Sequence, residues 1–171
     1  MKTLIKIAAI SVSLLIFSGC TAATFQSVQA PKTGHEIKIA IPKDKKDKRV
    51  WIRNTVSFTG LSWDKRRKIF AETFYTAAKF GKDKGYKYFA ITKKAMNNLN
   101  GFPLNNFKNT MDFCEWEDTN KAYRPEPLCL TGDGLISISA NLEVQYFKEP
   151  ILGLFLYNID EVIKETEKYL W

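Results

Sequence analysis

The sequence predicts an α+β fold, a two-layer sandwich in which a mainly antiparallel sheet carries two helices on one face. Three observations carry this expectation. Residues 136–146 alternate, with Ile136, Ile138, Ala140, Leu142, Val144 and Tyr146 on one side and Ser137, Ser139, Asn141, Glu143 and Gln145 on the other. One buried and one wet face is the mark of an antiparallel sheet, because a parallel sheet is covered on both faces. Residues 63–84 place Phe70, Phe74, Ala77, Ala78 and Gly81 on one side of a long helix. The order strand, strand, helix, strand, loop, strand, helix then leaves two helices to cover one sheet face. Strand order does not follow from these patterns.

The chain begins with Lys2 and Lys6, an apolar run from Ile7 to Phe17, and the small residues Ser18 and Gly19 before Cys20. The run falls short of the ~20 apolar residues that span a bilayer, and reads as a secretory signal occupying residues 1–19. Phe17-Ser18-Gly19-Cys20 resembles the lipobox of bacterial lipoproteins. That resemblance implies cleavage before Cys20, a diacylglyceryl group on its thiol and an acyl chain such as palmitate on the new amine. Thr21 stands where Asp would retain such a protein in the inner membrane, so the resemblance implies the outer membrane, periplasmic face. Three acyl chains at ~0.8 kcal/mol per buried CH₂ would make the attachment close to permanent. The competing reading is an ordinary secreted protein cleaved near Ala22 or Ala23.

Residues 20–35 are small and polar, contain Pro31 and Gly34, and read as a flexible tether. The single periplasmic domain is then 36–171, a size at which one core suffices. Glu36 to Ile41 alternates and predicts the first strand, ended by Pro42. The run Lys43 to Arg49 is charged and reads as a solvated hairpin loop, with anion binding as the sharper alternative. Val50 to Phe58 is the second strand, with Ile52, Val56 and Phe58 in phase and Trp51 out of phase.

Ser62 is positioned to cap the helix from about Trp63 to Lys84. Large residues early in its stripe and small ones late suggest a helix that tapers down onto the sheet. Lys65 to Lys68 lies in its first turns, where the macrodipole disfavours cations, so a binding role competes with a solvated face. Gly85 stops the helix and Tyr86 to Thr92 reads as a strand. The unit from residue 74 to 92, with Ala77-Ala78 and then Gly85-Tyr86-x-Tyr88-Phe89-Ala90-Ile91, resembles a segment of small proteobacterial lipoproteins of unassigned role. It implies no catalytic residue.

Residues 94–133 are rich in Asn and Pro and read as irregular, with Phe102, Leu104, Phe107 and Phe113 folding down as a lid and Trp116 and Tyr123 available for contact. With Cys20 taken by lipid, Cys114 and Cys129 remain as a pair in an exported chain and read as a disulfide linking this loop. Closing it would contribute ~3 kcal/mol. A metal site and a redox couple compete with that reading, without a CxxC and with His35 far away in sequence. After the long strand, Asn158 caps a last helix whose inner stripe is Ile159, Val162, Ile163 and Thr166, and Trp171 reads as an anchor.

The formal charge is +8, falling to +6 when Lys2 and Lys6 leave with the signal, and an exported chain directs that charge to lipids and glycans, not to nucleic acid. No Gly-rich phosphate loop and no zinc ligand set occurs, and the sole histidine lies at the tether junction, so neither a cofactor nor a triad is expected. Asp112, Glu115, Glu117 and Asp118 leave a calcium site or a carboxylate-based glycan hydrolase as minor readings. The expected function is a non-catalytic lipoprotein, held to the membrane by its N-terminal lipid. It docks on another envelope protein through the 94–133 loop or the wet sheet face. The alternative is a module binding lipopolysaccharide or another anionic lipid through Lys45, Lys46 and Lys48 with Arg66 and Arg67.

Overall fold

A computed structural model describes residues 23–31, 34–44, 48–57, 63–92, 106–112 and 137–170. The elements are β1 (Ala23–Gln29), β2 (Glu36–Pro42), β3 (Arg49–Ser57), α1 (Trp63–Asp83), β4 (Tyr88–Ile91), β5 (Ser137–Phe147), β6 (Tyr157–Asn158) and a last helix (Ile159–Leu170). A short helix, α2 (107–112), lies between β4 and β5, which makes the last helix α3. The six strands form one antiparallel sheet in the order β1-β2-β3-β5-β4-β6. Helices α1 and α3 pack on each other, and α1 lies across β3, β5 and β4. The architecture is the α+β sandwich that the alternation of residues 136–146 implies.

The burial of each strand follows its pattern. On β2, Ile37 and Ile39 face the helices, and on β3 Val50, Ile52, Asn54 and Val56 do so. On β5 the inner residues are Ala140, Leu142, Val144 and Tyr146. Helix α1 buries Phe70, Phe74, Ala77 and Ala78, and Gly85 (φ 77°) ends it in the left-handed conformation that costs glycine little. Asn158 Oδ1 accepts hydrogen bonds from the backbone N–H of Asp160 (3.0 Å) and Glu161 (3.3 Å), the cap expected for α3. The core is aromatic. Phe89 stacks on Tyr157 at 5.0 Å between ring centres, and Phe74 meets Phe107 edge-on at 5.3 Å.

Two expectations require correction. The flexible tether of residues 20–35 is interrupted by β1, which pairs with β2 along all seven of its residues, from Ala23 opposite Pro42 to Gln29 opposite Glu36. Its sequence hides the strand because an edge position with one wet face needs few apolar residues; Val28 alone packs against the core. Pro31 and Gly34 mark a tight turn, closed by Ala30 N–H to the His35 carbonyl (2.8 Å) and Gly34 N–H to the Ala30 carbonyl (3.2 Å). The second correction concerns the irregular 94–133 segment, within which 107–112 is helical. Phe107 is buried there against Phe70, Phe74 and Tyr169, and Thr110 shares a 2.7 Å hydrogen bond with the Tyr157 hydroxyl. The folding-down of Phe107 thus occurs as a packed helical turn.

Candidate functional site

Among the described residues no helix packs on the opposite face of the sheet, here called the helix-free face, which is built by the residues that alternate outward. The strand pairings place Phe25 opposite Ala40, Ala40 opposite Trp51 and Trp51 opposite Glu143. Thr92 N–H bonds to the Glu143 carbonyl at 2.8 Å, so one transverse row runs Phe25, Ala40, Trp51, Glu143 across four strands and on to Thr92, the residue that follows β4. Trp51 was the residue out of phase with its strand, and it lies outward for that reason.

Glu143 organises this row. Its carboxylate accepts a 2.6 Å hydrogen bond from Trp51 Nε1–H and another from the Thr92 hydroxyl. The Arg49 guanidinium lies 3.6 Å from the same carboxylate and stands over the Trp51 ring at 5.4 Å. Only 9% of the Glu143 side chain is exposed, so a partly desolvated carboxylate, hydrogen-bonded by the indole and the Thr92 hydroxyl and faced by Arg49, fixes where the indole N–H points. Phe25, 74% exposed, extends the row to the edge, and Lys38 and Arg53 are exposed on the neighbouring row. Two outward aromatic side chains, Phe25 and Trp51, with the cations Lys38, Arg49 and Arg53 beside them suit contact with a protein surface that presents apolar groups and carboxylates.

The buried face holds a polar cluster that the sequence reading missed. His35 Nε2 bonds to Asn54 Oδ1 and lies 3.8 Å from Glu72 Oε2. Asn54 donates from Nδ2 to the Ile69 carbonyl (3.2 Å), which fixes its amide and makes Oδ1 the group facing His35, so Nε2 carries a proton. Glu72 and Asn54 are fully buried. The cluster fastens the β1–β2 turn to β3 and α1. The available signal was Glu72 itself, a carboxylate set in the apolar run Ile69-Phe70-Ala71-Glu72-Thr73-Phe74. His35 therefore belongs to the folded domain, not to a tether.

A groove of about 260 Å³ separates β1 from the second half of α1, bordered by Gln26, Val28, Tyr75 and Lys79. Lys79 pairs with Asp83 at 2.8 Å along its wall, and Lys84 also lines it. Among the described residues, no group of three or more His, Cys, Asp or Glu side chains is placed to hold a metal ion.

The basic residues singled out from sequence fall in two places. Lys48 is exposed beside Arg49 where β3 begins. Arg66 and Arg67 are half-buried in the first turns of α1, and Arg67 lies 3.6 Å from Asp64. Asn54 bonds to Ile69 near the other end of β3, so α1 starts at the opposite end of the sheet from Lys48. The length of β3, at ~3.4 Å per residue, separates the two basic runs. They do not converge on one ligand. Asp112 pairs with Lys108 along α2. Cys20, Lys45, Lys46, Cys114, Trp116, Tyr123 and Cys129 lie outside the described residues, as do Phe58, Ser62, Phe102, Leu104, Phe113, Glu115, Glu117, Asp118 and Trp171. No helix among the described residues is long and apolar enough to cross a membrane. Comparison with known protein families, curated proteins and solved structures finds no match.

Proposed function

We propose that this chain is a non-catalytic outer-membrane lipoprotein, attached through Cys20, whose helix-free sheet face docks on another envelope protein. The observation that carries the docking is the Phe25–Ala40–Trp51–Glu143–Thr92 row. A tryptophan fastened through its N–H to a shielded carboxylate, with an arginine over its ring, is preorganised for contact and loses little side-chain entropy on binding. The lipobox resemblance carries the attachment.

Isolation of the protein from detergent-solubilised envelopes tests the docking. The wild type should retain a specific envelope protein, and the Phe25→Asp, Lys38→Glu double variant should lose it while keeping its circular-dichroism spectrum. Retention of the same partner by the variant would remove the sheet face from the proposal. A second reading, capture of lipopolysaccharide, is favoured by the exposure of Lys43 and Lys48 at one end of the sheet. Lipopolysaccharide micelles that bind equally to the wild type and to a variant with Glu at 45, 46 and 48 would eliminate it.

A further inference from the structure

We infer that one end of the sandwich is a membrane-facing surface, which rests on the anionic phospholipid head groups of the leaflet that holds the lipid anchor. This deepens the attachment proposed above and depends on it. Ala23, the first residue of β1, pairs with Pro42, so the chain leaves the sheet beside the β2–β3 hairpin. Only Thr21 and Ala22 separate that point from Cys20. Three residues reach at most ~11 Å, little more than the ~8 Å over which charge acts at physiological salt. The hairpin is therefore held where head-group phosphates are felt, a constraint that a flexible tether would not impose.

Other turns meet at the same end. Arg49 pairs with Gln145 and Tyr88 with Phe147, so the starts of β3 and β4 and the end of β5 share one rim. Lys87 N–H bonds to the Phe147 carbonyl at 3.1 Å, which brings the α1–β4 turn to it as well. Lys43, Lys48, Lys84 and Lys148 are exposed around this rim, with Asp44 as a nearby acid. Lys82 and Lys87 are matched by Asp160 at 2.7 Å and Glu149 at 3.4 Å. The β5–β6 connection, which leaves the sheet at this rim after Phe147 and contains Gly153 (φ 84°), exposes Leu152 fully (102%) and Ile151 at 43%. Two adjacent aliphatic side chains in water, in the connection that starts from a lysine-bearing rim, are the chemistry of an interfacial contact: the aliphatics enter the head-group boundary and the amines meet phosphate. The strands then stand along the membrane normal, and the Trp51 face looks sideways toward neighbours in the same membrane.

The test uses the mature protein in vesicles of phosphatidylethanolamine and phosphatidylglycerol, with an environment-sensitive fluorescent residue at position 152 or, as control, at 55 near the far end of β3. Bromine-bearing acyl chains should quench the label at 152 several-fold more than the label at 55. Replacing Lys43 and Lys48 with Glu should reduce the quenching at 152. Equal, weak quenching at both positions in a protein whose mass shows a lipidated Cys20 would overturn the membrane-facing end and leave the attachment standing. A mature chain without lipid on Cys20 would overturn the attachment and the inference with it.

Discussion

Replacing Gly81 with Ala probes the place where α1, α3 and β5 meet. A β-carbon there would stand 2.5 Å from Tyr146 Cε1, 2.7 Å from Tyr146 Cδ1 and 2.8 Å from Ile159 Cδ1. The tyrosine ring has nowhere to move. Its hydroxyl donates to the Ala77 carbonyl at 2.7 Å, and its face stacks on Tyr86 at 5.5 Å. Ile159 is buried as the first residue of α3. Overpacking of this kind costs ~1–3 kcal/mol, and losing the hydroxyl contact adds ~1 kcal/mol. Helix propensity opposes this by ~1 kcal/mol in favour of Ala. Sterics therefore win, with a net loss of ~2 kcal/mol. In a chain of this size that lowers Tm by roughly 4–8 °C and shifts the urea midpoint without changing the slope. In a Tyr146→Ala background the cost of Gly81→Ala should shrink, because the obstructing ring is gone. A Gly81→Ala variant as stable as the wild type, or more so, would show that propensity dominates and that α1 does not approach β5 as closely as described.

Phe107→Ala empties a fully buried position touching Phe70, Phe74 and Tyr169 and should cost ~3–5 kcal/mol in chemical denaturation, whereas a solvated loop residue would cost almost nothing. Asn158→Ala should cost ~1 kcal/mol by removing the acceptor of two α3 amides, and Asn158→Asp should retain most of the stability. Burial pushes the phenols of Tyr146 and Tyr157 well above the usual tyrosine range. Below about pH 10 both states keep these protons, and above it the unfolded chain releases them while the folded chain does not, so stability falls as pH rises. Each contributes a slope of about −1.4 kcal/mol per pH unit, and Tyr146→Phe should remove one share of it in urea titrations above about pH 10.

The elements legible in the sequence are those whose own residues decide them. β5 alternates over its whole length, α1 repeats its apolar residues at three and four, and Asn158 and Gly85 mark helix ends through local backbone chemistry. β1 was not legible because its stability comes from backbone pairing with β2, and a charge-free polar run looks the same in a strand as in a tether. α2 was hidden for a related reason: a single helical turn among asparagines is held by Phe107 and Met111 in a core assembled from distant segments. The outward row was half legible. Trp51 showed itself by its phase, but its partnership with Glu143, 92 residues away, required the strand order, which no periodicity encodes. His35 was misplaced with the tether, since its partners Asn54 and Glu72 become neighbours only when α1 folds over β3.

The docking claim is tested most directly by photocrosslinking in living cells from the two faces of the sandwich. A photoreactive residue at Lys38 or Thr55 on the helix-free face, or at Lys164 or Glu167 on exposed positions of α3, occupies a solvent-exposed site in each case. With docking through the sheet face, the two sheet positions capture the same envelope protein and the two helix positions do not. Capture of one partner equally from both faces, or capture from α3 alone, would contradict it.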